Sequence, residues 1–103
     1  MTVTGSVFKT PEVASAAPHL IVPSIGRVLW YWPSRTYKEQ PGAQANAAIC
    51  CYVHSDRCVN IHVFDCNGAG LPITSVPLRQ PEDPDPEQGH FVEWMPYQIG
   101  KAK

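Results

Sequence analysis

Cysteine and histidine recur at every fourth position in the middle of the chain: Cys50, His54, Cys58, His62 and Cys66. These side chains can bind zinc, or act together as nucleophile and base. The surrounding segment is rich in valine, isoleucine and aromatic residues, which favours strands over a helix. Alternate residues of a strand share a face. We therefore expect all five side chains on the face opposite the core.

Two apolar runs flank a three-residue turn at 55–57, and they predict a β-hairpin over about 47–65. In this register His54 faces Cys58, and Cys50 faces His62. Apolar residues then meet on the other face: Val53 with Val59, Cys51 with Ile61, and Ile49 with Val63. A register shifted by one residue would set apolar against polar neighbours, which a half-buried sheet resists.

The two cysteine–histidine pairs of this register lie four residues apart along each strand, roughly 13 Å at the usual rise. They cannot share one zinc ion, although one pair could be completed by another chain, or by Cys66 and His90. The alternative is that the cysteines are small apolar fillers. Paired strands also expose few N–H groups to stabilise an oxyanion. We predict no metal, no cofactor and no catalytic residue, and hence a non-enzymatic protein.

The same outer face carries further aromatic and polar side chains. It suits stacking on a base and contact with an anionic group, and it equally suits a subunit interface with aromatic anchors. The predicted ligand-binding residues are Tyr52 and Phe64 for stacking, His54, Asn60 and His62 for polar contacts, and Arg57 for anionic groups.

The composition describes the domain that must position these residues. The chain has 103 residues, of which 11 are proline and 7 glycine, and no run of 18 apolar residues. These features exclude a long-helix protein and a membrane-spanning helix. Lys+Arg 8 against Asp+Glu 9 gives none of the basic surplus typical of nucleic-acid binding. The chain start lacks the apolar core of a secretory signal, so we expect reduced cysteines in a cytoplasm.

Strand patterns also occur at 27–32, 73–78 and 90–97, with polar or proline-rich loops at 34–44 and 80–89. Five short strands predict an all-β fold, a small, strongly bent antiparallel barrel of the Src-homology-like kind, with little helix. Alternation in the first strand directs Trp30 and Trp32 to the core and Tyr31 outward. The predicted organisation is a flexible arm over 1–22, the barrel domain over 23–98 and a tail over 99–103.

Four segments of the chain carry a family resemblance: RVLWYWPS, AAICCYVHSDRCVNIHVFDCNG, TSVPL and HFVEWMPY. Over roughly 25–97 the chain resembles small proteins encoded in tailed-phage and prophage genomes. It departs from their pattern by Met95, which separates Trp94 from Pro96, and by the cysteine-rich hairpin.

The resemblance implies a phage setting, in the host cytoplasm or in the virion. One expectation is an accessory binding protein, a homo-oligomer that sequesters a nucleotide-like or other small anionic ligand as an anti-defence sponge. The alternative is a virion structural or assembly protein that packs through the same face. The expected partners are other copies of the chain, a nucleotide-derived small molecule or other virion proteins, with no membrane and no duplex nucleic acid.

Overall fold

The structure is a computed structural model, and it describes residues 20–101. Most of the predicted arm, 1–19, lies outside the described residues. The elements are β1 Val28–Trp32, α1 Arg35–Lys38, β2 Asn46–Ser55, β3 Cys58–Phe64, β4 Gly70–Arg79, β5 Phe91–Glu93 and α2 Pro96–Lys101. Across 20–101, neither helix has the length and apolar character that crossing a membrane requires.

The five strands form a closed barrel in chain order, with β5 returning to β1. This confirms the predicted five-stranded all-β barrel. The pairing is mixed rather than wholly antiparallel, because β4 and β5 run parallel where Leu78 lies opposite Val92 and Arg79 opposite Glu93. Parallel neighbours need a long connection, and the proline-rich segment 80–90 supplies it.

The barrel interior is filled by small and branched side chains together with one indole: Leu29, Ala48, Cys50, Val59, Ile61, Val63, Val76, Leu78, Val92 and Trp94. Ile21, which the sequence places in the arm, is also part of this core. The buried amide of Gln80 holds Ile21 there: its Oε1 accepts from the Ile21 N–H at 3.0 Å, and its Nε2 donates to the Ile21 carbonyl at 3.0 Å. These bonds satisfy backbone groups that burial would otherwise leave unpaired.

The predicted phase of alternation in β1 was wrong, although Trp32 is buried as predicted. Leu29 is fully buried and Tyr31 packs against the core. Trp32 lies on the outer side of the strand, where it is covered by Tyr37 of α1. Both alternating sets of side chains in β1 are hydrophobic, so hydrophobicity alone does not determine which set faces the core. Pairing with β5 fixes the phase, because Phe91 opposite Trp32 is also outside the central core.

The end of the chain also differs from its prediction. Residues 90–97 were predicted as a strand followed by a tail, but β5 ends at Glu93 and Pro96–Lys101 form α2. Proline has no N–H for a sheet ladder, yet its fixed φ suits the first turn of a helix. Gln98 secures this turn, since its Oε1 accepts from the Met95 N–H at 2.8 Å and its Nε2 donates to the Val28 carbonyl at 2.9 Å.

The central hairpin is confirmed, but its single register is wrong. Val53 lies opposite Val59 as predicted, while irregularities on both sides of this pair shift the ladder by one residue. Towards the turn, Ser55 faces Cys58, so the connection has two residues instead of three. Beyond the other bulge, the pairs are Cys50 with Ile61, Ile49 with His62, and Ala48 with Val63.

The bulge at Cys51 reverses the orientation of the strand before it. Cys50 points into the core and is 1% exposed, whereas Ile49 and Cys51 lie on the outer surface. A bulge bends its strand and increases local twist, which helps a ten-residue strand to curve around a small barrel. The predicted Cys50–His62 and His54–Cys58 pairs are therefore absent.

Candidate ligand-binding face

Five of the six predicted site residues share the outer face of the β2–β3 hairpin. Tyr52 and His54 come from β2, and they are exposed. The other three come from β3, where outward residues alternate with buried ones: Asn60, His62 and Phe64. We call these five residues the hairpin face. The strand period therefore brings them together despite the change in register.

The rings of the hairpin face form two edge-to-face pairs. The Tyr52 and His54 ring centroids are 4.9 Å apart, and those of His62 and Phe64 are 5.0 Å apart. Edge-to-face contact is the arrangement that aromatic quadrupoles favour. With 54% of Tyr52 exposed, this ring offers apolar contact area to a ligand.

Asn60 lies between the two ring pairs and holds its surroundings in place. Its Oδ1 accepts from the Ser75 N–H at 2.8 Å and lies 2.9 Å from His54 Nε2. An amide oxygen only accepts, so Nε2 must be the protonated nitrogen of this contact, and Nδ1 is left as an acceptor in the neutral imidazole. Asn60 therefore sets both the position and the tautomer of His54.

The Asn60 contact also depends on an irregular point in β4. Ser75 adopts a φ of 55°, in the left-handed region that non-glycine residues rarely occupy, and the β3–β4 ladder shifts register here. The bond from the Ser75 N–H to Asn60 offsets part of the cost of that conformation. Sequence reasoning did not identify Ser75, because a serine within a strand pattern carries no signal for positive φ.

Gly70 is a second residue that sequence reasoning missed. A Cβ built at Gly70 would lie 2.7 Å from His62 Nε2 and 2.5 Å from the Val63 carbonyl oxygen. The absence of a side chain therefore allows the His62 ring to lie directly against β4. Glycine inside a strand is a known sign of such close approach, but the strand predicted over 73–78 did not include Gly70.

The outer surface beside the hairpin face is uncharged over four strands. One row crosses them through directly paired residues: Val28, Ile49, His62 and Pro72. Val28 and Ile49 are 39% and 37% exposed. Arg79 is the only charged residue in β1–β4. This surface has the depletion of charge that is typical of the centre of an interface.

The structure does not bring Arg57 to the hairpin face. Arg57 lies in the two-residue turn, where its Nε and Nη2 donate to the Asp83 carboxylate at 2.8 and 3.2 Å. The Arg57 hydrogen bond holds the pKa of Asp83 below its ordinary value of 3.8, and the pKa of Arg57 is raised in return. An anionic ligand would have to compete with Asp83 for this guanidinium.

The cysteines have different environments, and none forms a disulfide within 20–101. Burial raises the pKa of the Cys50 thiol, which makes it a weak nucleophile. His90, a predicted candidate for completing a zinc site, is instead 3.0 Å from the Tyr31 hydroxyl through its Nδ1. Within the described part of the chain, no three His, Cys, Asp or Glu side chains are placed to hold a metal ion.

Comparison with known proteins found no matching family model, no matching curated protein and no matching solved structure. The family resemblance of the sequence therefore stays a prediction.

Proposed function

We propose that this protein acts by binding rather than by catalysis, and that the hairpin face holds a planar, nucleotide-like ligand. The observation that carries the proposal is the arrangement of two ring pairs on either side of Asn60 on an uncharged surface. Stacking of a base on an aromatic side chain contributes about 1–3 kcal/mol. The base is the main recognised group in this proposal, because Arg57 is already paired with Asp83.

The proposal includes self-association. The uncharged row that crosses β1–β4 continues from the hairpin face, so a second copy could cover Val28 and Ile49 while ring side chains border a pocket between subunits. A homo-oligomer of this kind would sequester its ligand without converting it. The resemblance to phage-encoded proteins supports an accessory, anti-defence role in the host cytoplasm.

The exposure of Val28 and Ile49, which face each other across β1 and β2, favours a second candidate. Paired apolar side chains on an open sheet surface also suit permanent packing between subunits. In that case the protein is a virion structural or assembly component, and the hairpin face contacts other protein chains instead of a small ligand.

Sizing and thermal unfolding with a panel of nucleotides distinguish the two candidates. A nucleotide that binds only the folded state, at a free concentration of a hundred times its Kd, adds about 2.7 kcal/mol of stability. We expect a shift in Tm that Tyr52→Ala reduces. The matched control is Tyr97→Ala, which removes an exposed tyrosine of α2 and should leave the shift unchanged.

Ile49→Lys tests self-association separately, because it places a charge in the uncharged row without altering the rings. We expect a smaller species in sizing experiments. A stable oligomer whose Tm responds to no nucleotide would favour the packing role. A monomer that also shows no nucleotide shift would contradict both candidates.

A further inference from the structure

The barrel is incompletely covered at the end where β3 finishes and β4 begins. β4 pairs with β3 from Gly70 to Pro77, but it pairs with β5 only through Leu78 and Arg79. No described strand lies along the other edge of its first half. The interior of the barrel is therefore open beside this part of β4.

Side chains that face the interior are consequently exposed at this end. Leu71 lies opposite Val63, and Ile73 lies opposite Ile61. Both partners on β3 are buried, yet Leu71 is 54% exposed and Ile73 is only partly buried. An inward-facing leucine with this exposure leaves apolar surface in contact with water, and a bound molecule could cover that surface.

A cavity of about 360 Å³ occupies the opening. Its apolar lining includes Leu71 and Ile73 of β4, Val63 of β3 and Tyr31 of β1. The Tyr31 hydroxyl is already hydrogen bonded to His90, so its ring contributes mainly apolar contact. The volume is near the lower end of the range for ligand pockets, roughly 300–1,000 Å³, and it suits a molecule with a single ring.

A fixed carboxylate borders the same cavity. Asp65 follows β3, and its Oδ1 accepts from the Asn67 and Ala69 N–H groups at 2.8 and 3.0 Å. The Asp65 N–H donates to the Ala69 carbonyl at 2.6 Å, so the turn is held at both ends. Among residues 20–101, Asp65 forms no ion pair. Its charge is available to a cationic ligand group, and Oδ2 is not used by the turn.

We infer that this end of the barrel is a second binding site, for a small primary amine that carries one aromatic ring. The ring would cover Leu71 and Ile73, and the ammonium group would lie beside Asp65. Apolar walls with one placed charge are the usual composition of small-molecule sites. The site shares only Phe64 with the hairpin face, and it does not depend on the proposed nucleotide ligand.

Titration of the full chain with 2-phenylethylamine, followed by amide NMR shifts and calorimetry, tests the inference. Phenylacetate is the matched ligand control, because it has the same ring and the opposite charge. We expect saturable shifts at Leu71 and Ile73 with the amine. Binding of the acid should be about two- to fivefold weaker from the loss of one exposed ion pair, and weaker still because Asp65 repels its carboxylate.

Two variants separate the charge from the cavity. Asp65→Asn keeps an oxygen for the turn but removes the charge, and it should weaken amine binding about two- to fivefold. Leu71→Trp fills the opening from an exposed position, and it should abolish binding. Asp56→Asn, at the opposite end of β3, makes the same charge change and should have no effect.

Equal affinity for the amine and the acid would overturn the inference, as would unchanged binding in Leu71→Trp or no saturable binding by either ligand. Tyr52→Ala should leave amine binding unchanged. Failure of the nucleotide proposal is therefore distinguishable from failure of this one.

Discussion

Two regions of the barrel's outer surface differ in exposure and in charge. The hairpin face is exposed on β2, partly exposed on β3, and free of Asp, Glu, Lys and Arg side chains. Across the ring of strands, the outer surface of β5 is covered and highly charged. There Glu93 is 7% exposed, although it is an acid.

Glu93 belongs to a group that we call the charged cluster: Trp32, Lys38, Arg79, Asp85 and Glu93. Lys38 Nζ lies 3.1 Å from Asp85 and 3.2 Å from Glu93. Arg79 contacts the same two acids, at 2.8 Å from Asp85 Oδ1 and 3.3 Å from Glu93 Oε1. The Trp32 indole N–H donates to Glu93 at 2.7 Å.

Two cations and two carboxylates therefore alternate, and each charge has partners of opposite sign. Buried charges are tolerated only when they are paired in this way. Exposure and charge are therefore not correlated on this surface. On the covered side, ion pairs stabilise the structure, whereas the open side has no charged residues. This contrast supports the proposal that the open side is the one that binds a partner.

The largest expected effect comes from breaking the charged cluster. Glu93→Ala leaves Lys38 and Arg79 with Asp85 alone and removes the acceptor of the Trp32 indole N–H. We expect the free energy of unfolding to fall by about 3 kcal/mol, the cost typical of removing one partner from a buried ion pair. Urea denaturation measures the change.

Two controls apply the same truncation to exposed residues. Glu39→Ala removes the partner of Arg35, an exposed pair at 3.6 Å, and Tyr52→Ala removes a ring of the hairpin face. Both should change stability by less than about 1 kcal/mol. Equal losses in all three variants would show that the charged cluster has no special structural role.

A smaller effect is expected at the β2 bulge, where Cys50 faces the core and Cys51 faces outward. Cys50→Ser places a hydroxyl in the core and should lower the free energy of unfolding by about 1–2 kcal/mol, whereas Cys51→Ser should change it by less than about 0.5 kcal/mol. A thiol reagent should modify Cys51 quickly and Cys50 slowly. The reverse order of reactivity would contradict the bulged register.

The hairpin could be predicted from sequence because valines on both sides of a polar turn specify it strongly. The bulges could not, because Ala48 and Cys50 fill the core about as plausibly as Ile49 and Cys51 when only hydrophobicity is considered. A one-residue insertion reverses the face of every residue beyond it. The predicted register was consequently correct around Val53 and wrong beyond Cys51.

The hairpin face could be predicted because Tyr52 and His54 lie on the same side of the bulge at Cys51 as Val53, and its other three side chains alternate along β3. The charged cluster could not be predicted, since its members lie on β1, α1, β4, β5 and the connection between β4 and β5. Lys38 and Asp85 lie in regions that read as loops, 47 residues apart, and only barrel closure brings them together. Local patterns contain no information about such contacts.

The smallest expected effect concerns how Asn60 orders the His54 side chain in the hairpin face. If Asn60 selects the His54 tautomer, nitrogen NMR in alkaline solution should show His54 protonated at Nε2 in the wild-type chain. Asn60→Asp keeps an acceptor oxygen and should preserve this signature. Asn60→Ala should give a mixture of tautomers, with a loss of stability of about 1 kcal/mol from the unpaired Ser75 N–H.

An unchanged tautomer population in Asn60→Ala would mean that His54 is positioned by something other than Asn60. The predicted result would instead show how the open face obtains order without ion pairs. One neutral amide oxygen accepts from β4 and from β2 together, so it links three strands beside the Tyr52–His54 ring pair. If the hairpin face binds the proposed ligand, rings that are ordered beforehand reduce the entropy lost on binding, and an uncharged face can then be specific.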